Sequence, residues 1–328
     1  MENVLELHGI RIEADDPLGK IIPVDDFSLS LGRGEIVGVV GESGSGKTTM
    51  LRGLIGLLES NSRVVAGKVV FRGEEVLTPQ ASKLDRIRGS EVGVVFQNAM
   101  TSLNPVLKIK TQMSEVMRAH DVVPRHKRRE WMQAQLKLLG FTDPVRVLES
   151  YPHQLSGGMA QRVAIAIATC CQPSVLLADE CTTALDVTVQ AEVIKLMRDL
   201  ADTRGTALLF ITHDLALVSE LCTRVVVLYG GKVVETGPVR EVMETPSHPY
   251  TRALLDAVPN LGARRRLVGI PGMPPVVRER FQGCRFADRC ERVLPACREG
   301  EIPWTQTGPQ KGYLCINPLN REAEAVAG

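Results

Sequence analysis

No charge of one sign dominates this sequence: Lys and Arg number 39 against 38 Asp and Glu. The near cancellation leaves nothing global to draw the chain to nucleic acid or to an anionic membrane. The one dense basic run, Arg125-His126-Lys127-Arg128-Arg129, is short, opens an expected helix and reads as a solvated helix face. Long hydrophobic runs are missing too. The longest, Val163 to Cys171, falls well short of the ~18 residues that a bilayer span requires. The opening Met1-Glu2-Asn3 lacks the basic-then-apolar order of a signal peptide. These absences predict a chain kept in the cytosol, where thiols stay reduced, so its 8 cysteines are not a disulfide framework. Charge-rich low-complexity blocks are absent as well. With 44% apolar residues over 328 positions, there is core enough for one large domain or two smaller ones.

What is present centres on Gly41-Glu42-Ser43-Gly44-Ser45-Gly46-Lys47-Thr48, a full match to the phosphate-loop pattern G-x-x-x-x-G-K-[ST]. The apolar run Ile36-Val37-Gly38-Val39-Val40 before it reads as a buried strand, and Thr48 to Leu58 after it has helical spacing. The glycines let the backbone aim several N–H groups into one concavity, and the helix N-terminus adds positive potential. Lys47 is expected on the β- and γ-phosphates and the Thr48 hydroxyl on Mg²⁺, with Thr49 completing the ATP-binding set.

Leu5 to Ile12 alternates like an edge strand and Phe27 to Leu31 like a second, with further strands at Val64 to Phe71 and Val92 to Phe96. Pro105 to Leu148 has helical spacing broken at Pro124, Gly140 and Pro144, which predicts an inserted helical subdomain. After a helix from Met159 to Thr169, strand and helix alternate: Val175 to Ala178, Thr188 to Asp202, Ala207 to Thr212, Asp214 to Leu221, Val225 to Tyr229. That order predicts an α/β fold with a largely parallel sheet. Gly230-Gly231 reads as a hairpin turn, and the rise in Pro and Cys beyond Pro246 sets a domain boundary near Pro259.

Val175-Leu176-Leu177-Ala178-Asp179-Glu180 is an apolar strand ending in two carboxylates. Asp179 is placed to hold Mg²⁺ through water, and Glu180 to polarise a water for in-line attack on the γ-phosphate. Leu155-Ser156-Gly157-Gly158-Met159 offers a second set of converging N–H donors at a helix start. Because the first loop already wraps the triphosphate, this turn is expected to serve ATP held by a partner subunit.

These residues resemble the nucleotide-binding subunits of ATP-binding cassette (ABC) transporters, whose signature is L-S-G-G-Q; Met159 stands where Gln is usual. Val95-Phe96-Gln97 is similar to the Q-loop, Thr183-Ala184-Leu185-Asp186 to the D-loop, and Ile211-Thr212-His213-Asp214 to the switch-histidine segment. The resemblance implies a P-loop ABC domain over residues 1–258, with a RecA-like core, an antiparallel β subdomain and a helical subdomain at about 105–168. It implies catalytic roles for Glu180, His213 and Gln97, Mg²⁺ contacts through Thr48, Gln97 and Asp179, and a cross-dimer link through Asp186. Asn98-Ala99 and Cys181 depart from the acidic residue with Pro, and from the Pro, usual there. Leu18 to Val24 holds no aromatic residue to stack on adenine, leaving Ile21 or Ile22 as an aliphatic surface.

Met100-Thr101-Ser102-Leu103-Asn104-Pro105, Tyr151-Pro152-His153-Gln154 and His248-Pro249-Tyr250-Thr251-Arg252-Ala253-Leu254-Leu255 resemble the ATPases of oligopeptide and dipeptide importers; nickel importers share some of these motifs. Residues 259–328 form a Cys-rich extension in which Cys284, Cys290, Cys297 and Cys315 suggest a metal staple. Spacing leaves iron–sulfur, zinc and free thiols open, and the resemblance implies a [4Fe-4S] cluster. Cys170, Cys171, Cys181 and Cys222 read as packing residues. The whole reading is an ATP-hydrolysing motor at the cytoplasmic face of the inner membrane. Its implied partners are a second ATPase (homologous or another copy), two permeases and an extracytoplasmic solute-binding protein. The alternative is a soluble ABC ATPase acting on nucleic acid, the ribosome or iron–sulfur assembly.

Overall fold

The computed structural model describes residues 2–183, 185–257, 269–278 and 281–320. The expected boundary at residues 258 and 259, and Ala184 of the D-loop stretch, lie outside them. Spatial contacts divide the chain into two discontinuous units. One is made of residues 1–4, 31–35 and 83–210, the other of 5–30, 36–82 and 211–328.

In the second unit, one sheet runs in the order Gly19–Gly32, Asn3–Asp16, Ser62–Phe71, Glu74–Thr78, Ala81–Ser82. Asn3–Asp16 is therefore interior, not an edge. Its residues alternate because one face of an antiparallel sheet meets the core and the other meets water, and an interior strand shows that as clearly as an edge does. Elsewhere in this unit, Ile36–Val40 pairs in parallel with Arg224–Tyr229, Arg224 opposite Val37 and Val227 opposite Val40. Both are buried along their whole length, which accounts for the apolar runs Ile36 to Val40 and Val225 to Tyr229. Arg224–Tyr229 turns through Gly230 and Gly231, with φ of 52° and 85°, into antiparallel Lys232–Pro238. Lys311–Tyr313 and Thr305–Gly308 extend that edge.

The helix behind the phosphate loop spans Lys47–Leu54, shorter than expected. It ends where Gly56 takes φ of 67°, a left-handed stop favoured by glycine.

The first unit holds the neighbouring strands Val92–Val95 and Val175–Asp179, parallel in register from Val92 opposite Val175 to Val95 opposite Ala178. Helices Ile109–Ala119, Arg128–Leu138 and Pro144–Glu149 fill the stretch of broken helical spacing. In the first of these, Ile109, Met113 and Met117 recur every four residues and are all buried. Asp143 starts the third by accepting from the Arg146 N–H at 3.0 Å. The Trp131 indole N–H donates to the Cys170 carbonyl at 3.0 Å, tying these helices to the end of helix Gly157–Thr169. Among the described residues, no helix is long and apolar enough to cross a membrane.

Candidate nucleotide site

The phosphate loop leaves the carboxyl end of buried Ile36–Val40, and Gly46 closes it with φ of 103°. A β-carbon there would stand 2.1 Å from the Pro23 carbonyl oxygen, so no other residue fits. Lys47 is buried, and its Nζ donates to the carbonyls of Gly41 at 2.8 Å and Glu42 at 2.9 Å. The ammonium is thereby held inside the curl of the loop. No side chain caps the following helix, so its first N–H groups face the same concavity. Ser45 accepts the Gly231 N–H through its carbonyl at 2.9 Å, joining the loop to the hairpin turn.

In the same unit, the Thr212 N–H donates to the Val39 carbonyl at 3.2 Å, two residues before the loop begins. His213 follows at once and is exposed. Asp214 then caps helix Leu215–Leu221, accepting from the Ala216 N–H at 2.9 Å. The switch segment and the phosphate loop thus share one end of adjacent backbone.

The first unit brings together two of the hydrolytic candidates, Gln97 and Glu180. Parallel pairing brings Gln97 and the Asp179-Glu180 pair to one carboxyl end, and Gln97 Nε2 donates to Glu180 Oε2 at 3.0 Å. Asp179 is buried. Glu180 has φ of 44°, a left-handed conformation costly for a residue with a β-carbon. The Thr183 hydroxyl braces it by donating to its carbonyl at 3.1 Å. Cys181, in the position where Pro is usual, is buried, and burial raises its thiol to about 12, so it stays neutral. Asn98 has a local use: its Oδ1 caps Ala99–Ser102 by accepting the Met100 N–H at 3.0 Å.

Ser156 caps helix Gly157–Thr169, its Oγ accepting the Met159 N–H at 3.3 Å, and Ser156 and Gly157 are exposed. A β-carbon on Gly157 would meet nothing, while one on Gly158 would lie 2.6 Å from Val189 Cγ1. Asp186 caps Val187–Arg204 by accepting the Val189 N–H at 3.0 Å.

In the tail, Cys297 is buried and Cys284, Cys290 and Cys315 are half-buried. Burial raises the thiols of Cys284 and Cys290, and pushes Cys315 up to about 11. The proximity of the other three adds to the shift at Cys315. Among the described residues, however, no group of three or more His, Cys, Asp or Glu side chains is gathered to hold a metal. The expected [4Fe-4S] or zinc cage is therefore not preformed. Cys170, Cys171, Cys181 and Cys222 are all buried, as packing residues are.

Sequence reasoning missed Tyr250 and Arg289, which both contact Glu42 of the phosphate loop. The signal for Tyr250 lay in the His248-Pro249-Tyr250 motif; Arg289 carried none.

Residues 24–183 match the family described as ABC transporter, and 234–297 that described as oligopeptide/dipeptide transporter, C-terminal region. The probable peptide ABC transporter ATP-binding protein y4tR of Sinorhizobium fredii is 44% identical, over 86% of this chain and 85% of its own length. The dipeptide transport ATP-binding protein DppD of Escherichia coli is 39% identical over 97% of each chain. A solved dimer of the ATP-binding cassette MJ0796, in a post-hydrolysis state with ADP and Pi, matches with a TM-score of 0.63 at 28% identity. It covers 72% of this chain and 99% of that one.

Proposed function

The chain belongs to the ABC transporter ATPases, and from that membership we propose that it is the ATP-hydrolysing motor of a di- or oligopeptide importer. One observation carries the reading: a cassette match at 24–183 and a peptide-transporter C-terminal match at 234–297 lie on the same chain. Relatives named for peptide or dipeptide transport span nearly all of it.

Mg²⁺–ATP enters as substrate. The phosphate loop and Lys47 take the β- and γ-phosphates, and Thr48 and Asp179 approach the metal. Glu180, oriented by Gln97, takes a proton from the attacking water. As the water oxygen bonds to the γ-phosphorus, the bond to the bridging oxygen breaks and ADP leaves. His213 contacts the γ-phosphate. The exposed Ser156–Gly157 turn offers its N–H groups to nucleotide on a second ATPase, and Asp186 lies at that junction. Closure of the pair works the permeases, so the chain acts at the cytoplasmic face of the inner membrane. Peptide arrives from an extracytoplasmic binding protein. Adenine rests on the aliphatic surface of Ile21 or Ile22.

For the tail, the finer reading is that Cys284, Cys290, Cys297 and Cys315 ligate a [4Fe-4S] centre and converge as it binds. Supporting it, N–H groups of Leu294 and Asn317 donate to the sulfurs of Cys297 and Cys315 at 3.4 Å each. Those of Phe286 and Arg292 do the same for Cys284 and Cys290. Such donors favour thiolates. Bound there, the centre supplies a structural crosslink.

The test of the motor is Glu180→Gln. We expect ATP binding to persist, turnover to fall at least about 100-fold, and an ATP-dependent dimer to accumulate on size exclusion. Wild-type turnover in that variant would remove Glu180 from the mechanism.

A further inference from the structure

Glu42, the second residue of the phosphate loop, is gripped through every polar group it has. Its N–H donates to the Tyr250 hydroxyl at 2.8 Å, and its carbonyl accepts Lys47 Nζ at 2.9 Å. Its carboxylate takes both terminal nitrogens of Arg289, at 2.5 and 2.9 Å, a two-pronged pair.

Arg289 belongs to the Cys-rich extension and is buried. Its other N–H groups are occupied too. Nη1 also donates to the Tyr229 hydroxyl at 3.1 Å, Nε to the Pro271 carbonyl at 2.7 Å and Nη2 to the Ile270 carbonyl at 3.2 Å. A guanidinium has five N–H donors in a fixed fork, and here all of them are used, so it can sit in one place only. The seat is stiff. Tyr229, Tyr250 and Phe286 pack tilted or edge-on with centroids 4.4 to 5.3 Å apart, and Phe286 comes from the extension itself. The backbone under Tyr250 is fixed as well: its N–H donates to His248 Nδ1 at 3.0 Å, and the His248 N–H to Glu235 Oε2 at 3.0 Å.

We propose that Arg289, with Tyr250, is a positioning residue for the phosphate loop, so that the Cys-rich extension is a working part of the nucleotide site and sets its affinity. The reasoning is mechanical. Fixing the carboxylate and N–H of Glu42 fixes the adjoining peptide planes, and one of their carbonyls is a rest for Lys47. Releasing Arg289 leaves a half-buried carboxylate without its fork. The carboxylate then turns towards solvent, and the peptide planes beside it lose that anchor.

This inference rests on the ATP reading, and its test separates the two. Full-length protein is titrated with Mg²⁺–ADP, which needs no hydrolysis, and with Mg²⁺–ATP in steady-state turnover. Arg289→Gln and Glu42→Gln are each expected to weaken Mg²⁺–ADP about tenfold, and to raise the KM for ATP by the same factor with little change in kcat. The double variant is expected to be no weaker than either single one, because both remove the same link. Arg289→Lys keeps the charge but lacks the fork, and is expected to bind as weakly as Arg289→Gln. Arg298→Gln, which removes a pairing with Asp288 on the surface of the extension, leaves affinity unchanged. If Arg289→Gln does not fold, Tyr250→Phe keeps the packed ring and is expected to weaken binding about threefold. Unchanged affinity in these variants, or additive losses in the double variant, overturns the proposal. Failure of the wild-type chain to bind either nucleotide overturns the ATP reading beneath it.

Discussion

His248 shows what a single buried side chain costs and supplies. It sits wholly inside the second unit, and burial lowers its pKa from the ordinary 6.5 to about 3. Between those values the folded chain holds a neutral imidazole while the unfolded chain binds a proton. The unfolded state then carries more protons, so stability rises with pH through this window and is lost on acidification. Asn in its place retains a cap for the Tyr250 N–H and removes the titration. We therefore expect the drop in Tm between about pH 7 and pH 5 to be smaller in His248→Asn than in the wild type; equal drops would exonerate His248. Other residues were legible at this scale only in part. Glu180 was placed by its strand, yet its left-handed backbone left no mark in the sequence. Asn98, a departure from the family pattern, proves to be a helix cap, a use that its residue type already advertises.

Among the elements, helix Gly157–Thr169 fits closely against the start of Val187–Arg204. Gly158 leaves no room for a methyl group, because Val189 Cγ1 would lie 2.6 Å away and a β-branched side chain yields poorly. Gly158→Ala is expected to cost about 1–3 kcal/mol in chemical denaturation, and Val189→Ala in the same chain to recover most of it. An unaffected Gly158→Ala would mean that the two helices part freely. The sequence showed both helices to within two residues, since their apolar spacing is regular. It hid Glu74–Thr78, whose opening Glu pair masks the pattern, and Thr305–Gly308 and Lys311–Tyr313, too short to carry any period. Those last two become strands because the edge of Lys232–Pro238 stands ready to pair.

At the scale of the whole molecule, motifs spoke more clearly than spatial units. The cassette elements stand in order along the chain, so function was legible from the family resemblance they carry. The compact units, by contrast, are stitched from separate segments, because strands distant in sequence pair side by side. No compositional shift could announce that. The tail is the part that chemistry must decide. Protein purified without oxygen is expected to carry about four iron and four sulfide per chain with a broad absorption near 400 nm, and to lose Tm when the iron is stripped. Iron-free, sulfide-free protein with four titratable thiols would leave the tail a plain thiol cluster.

The Arg289 fork also bears on where such a motor may be cut. A gene ending soon after Asp256 would still encode each sequence hallmark of a cassette and would pass any inventory of them. Its product would nonetheless leave the Glu42 carboxylate without its fork, and so would pick up fuel feebly: a motor whose throttle linkage had been mistaken for trim.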